Sequence, residues 1–300
     1  MGLSNAEVYF TAIIIAKVSG CLSMLGSFLI IIDVILRWRR QKEQQYLPIK
    51  QRIILSMSIA DLISSFTVHL LGTWMVPKGD VFIYGETLPT PLATGSEATC
   101  NIQAFVWDLC ILAGCSSNAT LGLTYWLMVC KDKKDDELKK WKWQFPLVWL
   151  PWIFALVDSL IFVIGLGFSG VNQSWFCGSF VTANTSNAWR NLMLVVVAGL
   201  INLVIVSTMV ALVKFVYTLE KELDAYQRNE ETLQKTIRVA KQGICFILAY
   251  MAALVPALIS IIFYNLPRYF AIYTSCMFPL QGLFNTLVYF RPKYLARDRQ

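Results

Sequence analysis

Histidine and charge are the two things this sequence has least of. A single histidine, His69, in 300 residues leaves no basis for a His-based metal cluster. No glycine-rich loop of the phosphate-cradling type is present, and the acids within apolar stretches are scattered, so no catalytic constellation forms and no enzyme is expected. Charged residues make up only 15% of the chain against 56% hydrophobic ones, with a mean hydropathy of +0.55, a balance that excludes an ordinary water-soluble domain. No soluble domain, low-complexity tail or internal repeat stands out. The first nine residues carry no positive charge, which argues against a cleaved signal peptide and for a first helix that is its own insertion signal. Ala6 stands where myristoylation at Gly2 would need Ser or Thr.

What is present is seven long apolar stretches, near residues 10–36, 51–76, 102–130, 145–168, 189–218, 237–264 and 269–290. Each is long enough to cross ~30 Å of hydrocarbon as a helix. The fold class expected is therefore an all-α membrane protein, one seven-helix bundle spanning residues 1–300. Of the 26 basic residues, 22 fall on alternate connections and the tail: the first holds Arg37 to Arg52, the third Lys131 to Lys142, the fifth Lys214 to Lys241, and the tail Arg291 to Arg299. The positive-inside rule then places the N-terminus outside and the C-terminus in the cytosol. The net charge of +7 belongs to loops that face anionic lipid and protein partners, not to a nucleic-acid surface.

Asn172-Gln173-Ser174 and Asn184-Thr185-Ser186 are glycosylation sequons, and both fall in a connection that the charge count places outside. Asn118-Ala119-Thr120 also fits but lies within the third helix. Of eight cysteines, only Cys100 and Cys177 reach the oxidising side, so a disulfide between them is expected. Residues 218–235 hold strong helix formers with opposite charges at helical spacing and no Pro or Gly, so helices five and six should extend past the lipid. Residues 77–99, rich in Pro and Gly, read as an irregular outer loop.

Seven helices, the Cys100/Cys177 pair, Leu55-Ser56-Met57-Ser58-Ile59-Ala60-Asp61-Leu62 in helix two and Gln281-Gly282-Leu283-Phe284-Asn285-Thr286-Leu287-Val288-Tyr289 in helix seven resemble a G-protein-coupled receptor over nearly the whole chain. Trp175-Phe176-Cys177 and Gln281-Gly282 are most similar to the cyclic-AMP-receptor-like (class E) and secretin-like branches, as found in microbial eukaryotes. The rhodopsin-like signatures are altered: Tyr125-Trp126-Leu127-Met128-Val129-Cys130-Lys131 stands where an Asp-Arg-Tyr-type triplet ends helix three, Asn285-Thr286 replaces Asn-Pro, and Gly26-Ser27 replaces Gly-Asn. About nine residues precede the first helix, so a large peptide hormone is not the expected ligand.

Ionisable groups inside a bilayer are costly and therefore informative. Asp61 lies ~16 Å into helix two. By the resemblance it belongs to a polar cluster that couples ligand to conformation, with Asn285, Ser116 or Ser117 and a sodium ion as companions, and Tyr289 is a further coupling candidate; the alternative is a hydrogen-bonded Asp that only joins helices. Asp108, ~12 Å below Cys100 and beside Trp107, either pairs with a cationic ligand in an outward-opening pocket or with another helix through His69 or Lys17. Trp107, His69, Asp158 and Arg190 are further ligand candidates. Pro256 removes a backbone donor in helix six and is a candidate pivot for outward movement of its cytosolic end. Lys131, Lys235, Arg238, Lys241 and Arg291 are the candidates for facing a G protein.

The resemblance implies a plasma-membrane receptor that binds a small extracellular ligand and activates a heterotrimeric G protein, with no cofactor beyond the sodium candidate. Two rivals share the helix count. A microbial retinal-based sensor or pump needs a lysine in the last helix, and residues 269–290 contain none. A small secondary transporter would show repeated halves, broken helices and a line of midplane charges.

Overall fold

The computed structural model describes residues 4–40, 47–83, 86–165, 171–173, 176–178, 188–225, 230–262 and 268–297. It is a seven-helix bundle. The first span is α1 (Asn5–Arg40); the second is α2 (Ile49–Ser64), continued by a π-helical stretch Ser65–Leu71 and a 3-10 turn Gly72–Met75. The third is α3 (Glu97–Cys130), followed by the short α4 (Asp135–Leu138). The fourth is α5 (Trp141–Gln144), a π stretch Phe145–Trp149 and α6 (Leu150–Gly165); the fifth and sixth are α7 (Ala188–Ala225) and α8 (Glu230–Ile262). The seventh is α9 (Arg268–Met277), a 3-10 turn Phe278–Leu280 and α10 (Gln281–Arg297). Six of these spans are long and apolar enough to cross a membrane.

Burial is the reverse of a water-soluble protein's. Ser19, Ser23, Ser27, Ser58, Gln103, Asn118 and Asn285 are buried, while Leu25, Leu29, Ile161, Leu200 and Leu203 are each more than half exposed. Such a contiguous apolar exterior needs a partner; hydrocarbon is the solvent that suits it. The interior is filled by a cluster that includes Ile53, Met57, Leu121, Tyr125, Leu212, Phe246 and Tyr250.

Several boundaries differ from the sequence expectation for local reasons. The third helix starts earlier, at Glu97, because Ser96 and Thr99 form a capping box: the Thr99 amide donates to Ser96 Oγ (3.3 Å) and the Ser96 amide to Thr99 Oγ1 (2.8 Å). The outer segment 77–99 is not wholly irregular. It contains an antiparallel hairpin, β1 (Asp80–Ile83) with β2 (Glu86–Pro89), and Leu88 packs on Tyr9 and Ile13 of α1. A second hairpin, β3 (Val171–Gln173) with β4 (Phe176–Gly178), brings Cys177 to Cys100. The disulfide is formed, with a Cα–Cα separation of 5.2 Å. Helices five and six extend as expected, α7 reaching Ala225 and α8 starting at Glu230, with a Lys241–Glu220 ion pair of 2.7 Å between them.

The first and last spans approach most closely where glycines face each other. A Cβ on Gly282 would lie 2.3 Å from Ser27 Oγ and 2.8 Å from the Ser23 carbonyl oxygen, and one on Gly26 would lie 2.7 Å from Thr286 Oγ1. Small residues let membrane helices exchange dispersion contacts and polar bonds at close range; here the Gly282 amide donates to Ser23 Oγ at 3.0 Å. Gly282→Ala is expected to destabilise the bundle by about 1–3 kcal/mol, whereas Gly79→Ala, with nothing within 4 Å of the added carbon, is expected to be neutral. Thermal unfolding of the two purified variants checks the contrast.

Candidate functional site

Asp61 sits where the second span is about to leave α-helical geometry, its carbonyl accepting the Ser65 amide at the α2 cap. Its carboxylate is met by the seventh span: Asn285 Nδ2 donates to Asp61 Oδ2 at 2.9 Å. This is the Asp61–Asn285 pair expected from sequence. Beside it lies a cavity of about 20 Å³, lined by Ser23, Asp61, Ser64, Ser65 and His69, by Cys110, Ile111 and Gly114 of α3, and by Phe278, Pro279 and Gln281. That is room for a water or a small ion. The oxygens of Asp61, Ser23, Ser64 and Ser65 are hard donors, the type that hard cations take, so the residues present fit a sodium ion.

Other expected companions fall elsewhere. Ser116 and Ser117 do not line this cavity; Gly114 presents α3 to it. Tyr289 is one turn further along α10, and its hydroxyl donates to Asp33 Oδ2 at 2.8 Å. Asp33 also pairs with Arg37 Nε at 2.9 Å, and the guanidinium lies 5.9 Å from the Tyr289 ring centre. Asp33 was not singled out from sequence, although an acid four residues before Arg37 in an apolar helix is a readable ion-pair spacing.

Toward the disulfide end, two expected ligand residues do come together. Trp107 of α3 and His69 of the π stretch have ring centroids 6.4 Å apart, and Phe278 lies 5.2 Å from Trp107 and 6.2 Å from His69. Phe176 of β4 closes the group at 5.1 Å from Trp107. The disulfide holds the β3–β4 hairpin so that Phe176 lies on Trp107. His69 is buried against Gly20, where a Cβ would lie 2.3 Å from its own Cβ. The histidine is thus a packing residue of the cavity wall.

Gln103, missed in the sequence, organises this end. Fully buried one turn below Cys100, it donates from Nε2 to the carbonyls of Thr67 (2.8 Å) and Gly72 (3.1 Å) and accepts the Cys177 amide on Oε1 (2.8 Å). One side chain thereby joins the π stretch, α3 and β4. Gly72, with φ 42°, holds a left-handed conformation that a side chain would strain. The clue available was an amide three residues after a cysteine in an otherwise apolar helix.

Asp108 is buried and does not line the cavity beside Asp61, so the expectation of a solvent-open depth at this residue is not met. Lys17 is committed elsewhere: its Nζ donates to the Leu70 carbonyl at 2.9 Å and lies 4.7 Å from the Trp74 ring centre. Asp158 is half-buried on α6, next to fully buried Ser159. Arg190 stands in the first turn of α7, and its side chain lies outside the described residues, as do that of Lys235 in α8 and that of Asn172 in β3. Asn184 falls wholly outside them. The helix continues through Pro256, which is buried. Trp152 donates from Nε1 to Ser56 Oγ, tying α6 to α2.

At the basic end, Lys131 and Arg238 are exposed, Lys131 stacking 5.3 Å from the Trp126 ring centre. Lys241 pairs with Glu220, and Arg291 reaches Cys245 Sγ at 2.9 Å. The segment after α3 is less openly basic than its composition implies: Lys133 pairs with Glu137 (2.8 Å), and Lys139 with Asp135 (3.1 Å) and Asp136 (3.0 Å). Hydrogen bonds to Asp136 and Asp135 raise the Lys139 pKa above its ordinary value. Asp135 also accepts the Ile49 amide at 2.9 Å, capping the start of α2.

No protein-family model and no curated protein sequence matches the chain. Among solved structures it is similar to squid rhodopsin, with a TM-score of 0.68 and 16% identity over 99% of this chain and 85% of that one. The likeness is one of fold: a seven-helix bundle like that of squid rhodopsin.

Replacing Gln103 by Leu would strip the Cys177 amide and two carbonyls of their partner at once. A buried unsatisfied group typically costs ~1–3 kcal/mol, so Gln103→Leu is expected to lower the unfolding midpoint substantially and to slow formation of the Cys100–Cys177 bond. Thermal unfolding and non-reducing peptide mapping read the two effects.

Proposed function

We propose that this chain is a plasma-membrane G-protein-coupled receptor that takes a small extracellular ligand at its disulfide-bearing end and activates a heterotrimeric G protein at its basic end. The observation that carries the reading is the continuity between the two ends. The aromatic group of Trp107, His69, Phe176 and Phe278 abuts the polar cavity through His69 and Phe278, and the cavity is walled by Asp61, the hydrogen-bond partner of Asn285. The likeness of fold to squid rhodopsin supports the seven-helix signalling frame; it does not favour a transporter built from repeated halves. The charge bias supports an outside N-terminus and a cytosolic tail, and the sequons Asn172 and Asn184 then belong to the glycosylated face.

In this reading the ligand contacts Trp107 and its neighbours, with Asp108, Asp158 and Arg190 as charged candidates. A shift of Phe278 and Trp107 is transmitted to the Asp61 cavity. Agonist must bind the arrangement with α8 swung outward better than the closed one, since equal affinity shifts no population, and Pro256 is the proposed pivot. A sodium ion beside Asp61 would favour whichever arrangement keeps the hydroxyls converged. Exposed Lys131 and Arg238, with Lys235, Lys241 and Arg291, form the proposed G-protein face. Within the superfamily, the sequence signatures Trp175-Phe176-Cys177 and Gln281-Gly282 support the cyclic-AMP-receptor-like and secretin-like branches.

The test is ligand-stimulated nucleotide exchange on a panel of purified G proteins, with the chain in lipid bilayers. Asp61→Asn, which keeps shape and removes charge, is expected to leave surface expression intact and to change basal or maximal exchange several-fold, as expected for a coupling free energy of ~1–3 kcal/mol. Unchanged affinity, basal rate and maximal response together would reduce Asp61 to a helix-joining residue. Absence of exchange with every G protein across a broad ligand library would overturn the receptor reading.

A further inference from the structure

A second cavity lies at the basic end, about 180 Å³ in volume, many times what a single water requires. Its polar lining comes from five helices: Arg37 of α1, Lys50 and Gln51 of α2, Tyr125 of α3, Gln242 of α8 and Tyr289 of α10. Two of the lining residues are cations and none is an acid. We propose that this cavity is a binding site for a phosphate-bearing anion, supplied either by the headgroup of a phosphorylated lipid or by free phosphate.

Three features fit that chemistry. Arg37 meets Asp33 through Nε, and its planar guanidinium also carries Nη donors of the kind that suit phosphate oxygens. Lys50 has no ion pair within 4.0 Å among the described residues and supplies a point charge with three donors. The Tyr125 hydroxyl has no hydrogen-bond partner although the residue is only 1% exposed. Its ring is packed on Gly243 of α8, where a Cβ would lie 2.8 Å from the ring. A buried hydroxyl left without an acceptor is costly; an anionic oxygen in the cavity removes that cost.

The position fits as well. The cavity lies where α1 and α2 end in basic residues, and the Arg37 side chain keeps 38% of its surface exposed, giving access from the headgroup layer. Basic pockets between helix ends are where phosphorylated headgroups bind. Because five helices contribute to the lining, an anion there stabilises this arrangement over any that separates them. The site holds whether or not the chain signals to a G protein.

The test uses the full chain in phosphatidylcholine nanodiscs, reading the unfolding midpoint against added ligand. One arm adds phosphatidylinositol bisphosphate, a second adds phosphatidylserine at matched charge, and a third adds soluble inorganic phosphate without anionic lipid. Expected is a saturable rise in midpoint with the phosphoinositide or with soluble phosphate, and little with phosphatidylserine. A response confined to the lipid arm identifies a headgroup as the source, and an equal response to soluble phosphate identifies the free anion. Lys50→Gln and Tyr125→Phe should each weaken the apparent affinity about tenfold, while Arg39→Gln, an exposed charge outside the cavity, should not. Tyr125→Phe is decisive if Lys50→Gln fails to fold: losing an unpartnered hydroxyl should leave the ligand-free protein as stable or more so, yet weaken binding. Absence of any midpoint rise, equal rises with phosphatidylserine, or variants that bind as the parent does would overturn the site.

Discussion

The Gln103 side chain answers a demand that hydrocarbon places on every helix break. Water is not available inside a bilayer to satisfy a displaced carbonyl, so irregular backbone there must find its partners within the protein. The second span loses α-helical hydrogen bonding from Ser65 onward and turns at Gly72. Its displaced carbonyls at Thr67 and Gly72 are taken by Gln103, and that at Leu70 by Lys17. The same Gln103 amide also fixes the backbone of Cys177. The disulfide therefore anchors a hairpin that is already hydrogen-bonded to the place where the second span deforms.

The deformed stretch also carries part of the polar interior. Asp61, Ser65 and His69 follow one another at intervals of four residues, share one face of the second span and line the same cavity. The seventh span breaks at a facing level, through the 3-10 turn Phe278–Leu280 that contains Pro279, and contributes Phe278, Pro279 and Gln281 to the opposite wall. Two broken helices thus meet across a small hydroxyl-lined space, with α1 held close by Gly26, Gly282 and the Ser23 bond. Such a region has polar partners that can be exchanged, the kind of element that supports two discrete arrangements. The proposed receptor function draws on that property.

Polar pairs also divide the molecule into levels. Asp61–Asn285 lies at the middle, and Tyr289–Asp33–Arg37 follows one turn along the same helix toward the basic end. Below them, Asp135 caps α2 and draws the segment after α3 onto the bundle, with Leu138 fully buried beneath it. Each level joins helices distant in sequence, which is why substitution at one of them reaches more than one span.

Much of this was legible in the amino-acid order. Seven apolar stretches, the bias of basic residues to alternate connections and the lone pair of outer cysteines are one-dimensional properties, because hydrocarbon thickness, lipid charge and redox compartment act on each segment separately. The Asp61–Asn285 pair was legible too, through the resemblance of its flanking motifs. Tertiary structure alone decided that Tyr289 bonds Asp33, that Lys17 serves the Leu70 carbonyl, that Gln103 joins the π stretch, α3 and β4, and that Phe176 covers Trp107. Those outcomes depend on the rotation of each helix about its own axis and on where it departs from 3.6 residues per turn. In an apolar solvent the helix exteriors are nearly interchangeable, so rotation is set by close packing at glycines and by which polar groups can satisfy one another. Neither is fixed until all the helices are in place.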